Sequence, residues 1–191
     1  MFNQPSSNGP TWDAIRATTD YPSFAVYFVL NEMAFDPDGY HKSTFMFKTA
    51  DQPGTPGKMH GGPLWDKNKS YGNGYSPDFD QTDKWLFQMA NGGQSPVWWH
   101  VLVTDPELGR EVMALWKAHA GPSGVLSSSA IDAFLDEQVT RLKSTGALER
   151  NNVMMGITDH EQAVAKLKRY VAARLSWMGD NLAALLPTAA R

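Results

Sequence analysis

No helical or strand period survives between Asp66 and Pro96 of this 191-residue chain. Gly, Asn, Ser, Tyr and Asp dominate that stretch, with Trp85, Leu86, Phe87 and Met89 as its apolar anchors. A connection this long is uncommon inside a compact domain unless it is functional or wrapped around something. Regular structure must therefore come from the two flanks, and both read as mostly helical.

Upstream, residues 1–11 read as a flexible lead-in rich in Asn, Ser, Pro and Gly. Asp20 and Pro22 then mark the start of a helix best seen over Ser23–Ala34, an acidic cap with a proline in the first turn. Phe24, Tyr27, Phe28 and Asn31 share one face, whose apolar part is expected in the core. Asp36-Pro37-Asp38-Gly39 is a turn, because Asp side chains bond nearby backbone and Gly tolerates positive φ. Ser43–Lys48 and Lys58–Trp65 read as two strands of a β-hairpin around the turn 52–57, the second loosened by Gly61-Gly62-Pro63.

Downstream, Val97–Val103 is a short aromatic helix. Asp105-Pro106-Glu107 opens another, running to about Ala120 and stopped by Gly121-Pro122. The serine run 127–129 caps a helix with Ile131, Phe134, Leu135 and Leu142 on one face. Thr158-Asp159-His160-Glu161 has the pattern of a capping box. It opens a last helix in which Ala163, Leu167, Tyr170, Val171, Arg174, Leu175 and Met178 recur at helical spacing. The expected class is α+β, predominantly α-helical, with one embedded hairpin and a long loop in a single domain over residues 12–186.

Hydrophobic residues make up 42% of the chain and charged ones 19%, a globular composition with enough apolar side chains for a core. Lys and Arg total 17 against 20 Asp and Glu, a net charge of -3, so no footprint for nucleic acid or an anionic membrane is expected. No apolar run approaches the roughly 18 residues of a membrane span. Cysteine is absent, which excludes disulfides, thiolate zinc sites and a cysteine nucleophile. Met1–Pro5 lacks the basic and apolar regions of an export leader. Localisation stays open: cytoplasmic if this is the native start, secreted or at the cell surface if a leader was removed.

Familiar catalytic patterns are missing. Gly121-Pro122-Ser123-Gly124 has the wrong spacing for a nucleophile elbow, and no His-Glu-x-x-His, Walker or Gly-x-Gly-x-x-Gly sequence occurs. The five histidines share no ligand spacing. What remains is a set of oxygen donors around the hairpin: Asp36 and Asp38 before it, Asp66, Asn68 and Ser70 after it. A hairpin draws its ends together, and crowded carboxylates need a cation or a shared proton. Such donors suit Mg²⁺, Mn²⁺ or Ca²⁺. On composition alone, the better reading of the same residues is an Asx turn at Asp36 and Asp38 and a strand cap at Asp66 with no metal. Asp66-x-Asn68-x-Ser70 alternates like a calcium loop, but Tyr71 and Pro77 stand where an EF-hand needs Gly and Glu. Asp78, Asp80 and Asp83 read as a solvated acidic loop, with a calcium site as the alternative. Tyr71, Tyr75, Trp85, Trp98 and Trp99 read as anchors pinning the loop to helices, with carbohydrate or peptide binding as the alternative.

Taken in order, Asn31-Glu32, Asp38-Gly39-Tyr40, Ser43–Lys48, Gly62-Pro63-Leu64-Trp65-Asp66 and Tyr71-Gly72-Asn73 resemble the spore-coat protein kinase (CotH kinase) family. Trp98–Leu102 with Asp105-Pro106-Glu107, and Leu175–Leu182, look like that family's C-terminal helices, so the likeness runs from about Trp12 to Leu182. It implies an atypical, secreted or surface protein kinase with a reduced kinase-like fold. Asp38 then matches the aspartate that orients the acceptor hydroxyl, and Asp66 the aspartate that holds Mg²⁺ against the nucleotide phosphates. Ser43 stands where many members have a metal-binding Asn, and Asn68 where many have a second Asp. Family domains are longer, so the chain is expected to resemble a C-terminal lobe whose activity needs an N-terminal half.

Three functions follow as expectations. The first is an ATP-dependent phosphotransferase lobe using Mg²⁺ or Mn²⁺, with Ca²⁺ a third candidate, and a protein acceptor bearing hydroxyl side chains. The second is a hydrolase in which a cation on Asp38 and Asp66 activates water. The third is a non-catalytic surface module stabilised by the same metal.

Overall fold

The structure, a computed structural model, describes residues 11–89 and 97–186. The flexible lead-in expected over residues 1–11 lies, apart from Thr11, outside the described residues, as does the end of the long loop. The helices are α1 (Trp12–Thr18), α2 (Tyr21–Ala34), α3 (Val97–Leu102), α4 (Pro106–His119), α5 (Ser128–Ser144), α6 (Ala147–Met155) and α7 (His160–Leu185). A two-stranded sheet, β1 (Met46–Lys48) and β2 (Met59–Gly61), lies between α2 and the long loop. The chain is thus α+β and predominantly helical. Among the described residues, no helix is long and apolar enough to cross a membrane.

α2 is the central element. The Asp20 carboxylate accepts from the Ser23 N–H at 3.1 Å and starts it, and Phe35 in the left-handed region (φ 51°) ends it. Burial extends well beyond the one expected face: Tyr21, Phe24, Ala25, Tyr27, Phe28, Val29, Met33 and Ala34 are all buried. Such all-round burial marks a helix enclosed by neighbours, here β2, α4 and α7. Trp99 of α3, fully buried, stacks on Tyr27 with ring centres 5.9 Å apart and meets Tyr40 edge-on at 5.0 Å. At the start of α4, Asp105 accepts from the Glu107 N–H at 3.0 Å. It also accepts from Arg16 of α1 at 2.5 Å and from the Tyr21 hydroxyl, so one carboxylate joins three helices.

The hairpin is shorter than its sequence suggests. Its register pairs Met46 with Gly61, Phe47 with His60 and Lys48 with Met59. On one side Ser43 is held in the preceding turn by its N–H to the Asp38 carbonyl, and on the other Pro63 has no N–H to extend the ladder.

Two other local expectations fail. The N-cap of α7 is Asp159, not Thr158, and no side chain caps it. Glu161, which a capping box would turn back, points to the Lys143 ammonium at 3.3 Å. Phe134 and Leu142 on the expected core face of α5 stay exposed, because α5 packs mainly against α6 and α7. α6, unread in the sequence, sits between Gly146 and Gly156, both at positive φ (66° and 65°), where glycine carries no Cβ penalty.

The long loop does have something to wrap around. Glu32 of α2 and Arg174 of α7 form an ion pair at 3.1 Å, both fully buried. The Glu32 carboxylate accepts from the Leu86 and Phe87 N–H groups at 2.7 and 3.0 Å and from the Tyr40 hydroxyl at 2.8 Å. Arg174 donates to the carbonyls of Glu32, Thr82 and Lys84 at 2.8, 3.0 and 2.6 Å. Its guanidinium lies 4.8 Å from the Phe35 ring centre and 5.0 Å from that of Trp177. Aperiodic backbone between residues 82 and 87 is thereby satisfied by two charged side chains from helices on either side.

Candidate active site

The left-handed residue Phe35 turns the chain out of α2 and into a tight loop. Asp36 accepts the Asp38 N–H on its side chain at 3.0 Å and the Gly39 N–H on its carbonyl at 2.9 Å, the Asx turn that the sequence suggests. The Asp38 carbonyl then gathers the N–H groups of His41, Lys42 and Ser43 at 3.2, 3.1 and 2.9 Å. From below, the Tyr27 hydroxyl donates to the carbonyls of Gly39 at 3.1 Å and Ser43 at 3.3 Å. Gly39 is required here, since a Cβ would sit 2.8 Å from Asn31 Oδ1.

This scaffold leaves the Asp38 carboxylate 21% exposed, with His41 Nε2 at 3.6 Å and Lys42 Nζ at 3.4 Å. These two flanking side chains were not singled out from the sequence, although positions three and four beyond an aspartate in a helical turn face it. Ser43 is buried at the base of the loop.

Asp66 opens a single 3-10 turn over Lys67–Lys69 in the left-handed region (φ 56°, ψ 56°). Its side chain is exposed and makes no hydrogen bond to the turn it precedes. Asn68 is exposed as well, and its carbonyl accepts from the Asn73 side chain at 3.0 Å. Two further oxygens of the expected donor set are committed elsewhere. Asp36, 1% exposed, pairs with Lys67 Nζ at 2.9 Å, and the Ser70 hydroxyl donates to the Lys67 carbonyl. The Asp36–Lys67 pair joins the turn carrying Asp38 to the turn carrying Asp66. A second tie is the Tyr71 N–H donating to the Ala34 carbonyl at 2.7 Å.

Beyond these turns the loop is pinned to α7. Lys166 Nζ donates to the Gly72 carbonyl at 2.6 Å and the Tyr170 hydroxyl to the Gln81 carbonyl at 2.9 Å. Asp80, in the acidic run read as solvated loop, accepts the Gly74 N–H at 2.9 Å. Among the described residues, no group of three or more His, Asp or Glu is placed to hold a metal ion. The arrangement offers one carboxylate flanked by an imidazole and an ammonium, and a second, unencumbered carboxylate on an adjoining turn.

The family model described as CotH kinase protein matches residues 2–178. No curated protein and no solved structure matches the chain.

Proposed function

The chain belongs to the CotH kinase family, and from that membership we propose that it is a phosphotransferase moving the terminal phosphoryl group of ATP to a protein hydroxyl. Asp38 orients the acceptor hydroxyl. Asp66, with Asn68 and Ser43, would hold Mg²⁺ or Mn²⁺, which would supply charge neutralisation for the nucleotide phosphates. What supports the reading most is the Asp36–Lys67 pair at 2.9 Å, which keeps the two aspartate-bearing turns side by side. Phosphoryl transfer needs positioning and charge neutralisation more than covalent help, so two aspartates in these roles form a sufficient nucleus.

The donors fit a cation that arrives with its nucleotide. Mg²⁺ is commonly held by one or two carboxylates, with phosphate and water oxygens completing its shell. An exposed Asp66 beside an exposed Asn68 suits that mode, whereas a cage of three protein carboxylates is not needed. The bound cation would neutralise the charge developing on the transferred group. Lys42, its side chain 71% exposed, lies 3.4 Å from the Asp38 carboxylate.

The test is thermal unfolding of the purified chain in EDTA, Mg²⁺, Mn²⁺ or Ca²⁺, each with and without ATP. Metal and ATP together at 100 times the dissociation constant should stabilise the fold by about 2.7 kcal/mol. Asp66→Ala should abolish that shift. Asp38→Ala should keep it while losing transfer of labelled phosphate to a protein acceptor. A metal shift indifferent to ATP would favour the hydrolase or the metal-stabilised module. No shift would overturn the nucleotide reading for this chain.

A further inference from the structure

Lys69 differs from the other lysines on the two aspartate-bearing turns. Lys67 pairs with Asp36 at 2.9 Å and Lys42 lies 3.4 Å from Asp38, so both of those ammoniums face a carboxylate of this chain. Among the described residues, no carboxylate pairs with Lys69, and its ammonium lies 5.3 Å from the Tyr75 ring centre. Tyr75, which the sequence suggests as an anchor pinning the loop to a helix, is 66% exposed and meets this lysine instead. A cation–π contact fixes where an ammonium lies without spending its hydrogen-bond donors on a carboxylate.

The backbone around this pair is firmly held. Lys67–Lys69 form one 3-10 turn directly after Asp66. Three residues complete such a turn, so position 69 comes back to the side from which position 66 departs. The chain then doubles back: Asn73 donates its N–H to the Ser70 carbonyl at 3.1 Å and its side chain to the Asn68 carbonyl at 3.0 Å. Tyr75 stands between two further ties, the Gly74 N–H on Asp80 at 2.9 Å and the Phe79 N–H on the Ser76 carbonyl at 3.0 Å. An ammonium with open donors is thus steadied on the same turn as the unencumbered Asp66 carboxylate. A triphosphate carries more negative charge than a divalent cation removes, and phosphoryl-transfer sites meet the excess with a positioned lysine.

We propose that Lys69 is a contact for the phosphates of the nucleotide beside Asp66, and that Tyr75 is the residue that positions it. The inference rests on the phosphotransferase reading and adds to it the group of this chain that recognises a polyphosphate. The lysine acts on the phosphates and not on the base, so a polyphosphate without adenosine engages it equally.

The probes are Mg²⁺ with ATP and Mg²⁺ with inorganic tripolyphosphate, each titrated into the full chain by calorimetry. Lys69→Met should weaken both by about tenfold or more, the worth of a hydrogen bond between charged groups. Lys69→Arg, which keeps the charge, should recover most of that loss. Tyr75→Leu should weaken both by about two- to fivefold through the lost ring contact, and Tyr75→Phe should restore it. Lys58→Met removes an exposed hairpin cation and should change affinity by less than about twofold, because a charge off the turn is screened. In the unmodified chain the Lys69 ε-methylene NMR signal should move on adding Mg²⁺ with tripolyphosphate, which keeps the test valid if a variant folds poorly. Unchanged affinity in Lys69→Met would overturn the contact and leave the phosphotransferase reading standing, as would an equal loss in Lys58→Met. A chain that binds ATP but not tripolyphosphate would also overturn it, since the base would then carry the binding. Lys69-dependent binding of both polyphosphates without transfer of phosphate to a protein acceptor would sink the phosphotransferase reading and keep the contact.

Discussion

Glu32 shows how one residue can organise loop, helix and core together. Burial pushes its carboxyl above the ordinary value, opposed by Arg174, by the Leu86 and Phe87 N–H groups and by the Tyr40 hydroxyl. Burial likewise lowers Arg174, and Glu32 opposes that shift. With four donors converging on the carboxylate, the ion pair is the form the geometry is built for. A buried pair gives little net stability over an apolar substitute, but stranding one partner is expensive. Glu32→Gln should therefore destabilise by about 3–5 kcal/mol in urea unfolding, and the double variant Glu32→Gln with Arg174→Met should recover part of that loss. A loss under 1 kcal/mol in the single variant would mean that the pair is not the loop's anchor.

At the scale of elements, the start of α4 is a junction as well as a cap. Burial alone would raise the Asp105 carboxyl, but Arg16, the Tyr21 hydroxyl and the Glu107 N–H outweigh it and hold it below the ordinary carboxylate range. Burial and Asp105 push the Tyr21 hydroxyl upward in turn. A carboxyl lowered on folding contributes stability that is complete above its unfolded pKa, near 4, and is lost as pH falls through the folded value. Asp105→Ala should cost about 1–3 kcal/mol at pH 7. The gap to the unmodified chain should narrow in urea titrations below pH 4. A gap constant down to pH 2.5 would show that the ionised carboxylate is not what matters. The same cap was visible in the sequence because Asp-Pro-Glu is local chemistry. The Thr158–Glu161 pattern had equal local credentials, yet Glu161 is drawn to Lys143 on another helix.

Over the whole molecule, stability is unevenly spread. α2, α3, α4, α7 and the Glu32–Arg174 pair share one core, whereas neither α5 nor α6 contains a buried residue. Val153 and Met154 are 80% and 82% exposed. Sparse burial lowers the free energy of local opening. Native-state hydrogen exchange should show α6 amides opening well below the global free energy, with α2 amides exchanging only on global unfolding. Matching protection in both helices would show that α5 and α6 are coupled to the core.

The parts of the site that rest on short-range chemistry were legible in advance. The Asp36–Gly39 turn and the Asp20, Asp105 and Ser127 caps depend on a side chain bonding backbone two or three residues away, and the hairpin was signalled by the Pro- and Gly-rich turn between its strands. Asp38 and Asp66 stood out as candidates through the family resemblance of the residues around them. Other features depended on residues far apart in the chain. Arg174 falls on the apolar stripe of the last helix, but nothing near it in the chain says what a charge placed there would pair with. Only its meeting with Glu32, 142 positions earlier, makes it the buried hub of the loop. Lys67 similarly reads as a solvated charge until the fold brings it to Asp36 and binds the two turns together. Backbone hydrogen bonding set the turns and helix starts from sequence alone. The pairing of buried charges, and the Lys69 ammonium that none of the described carboxylates took up, were decided by which surfaces the tertiary structure closed from water and which it left open.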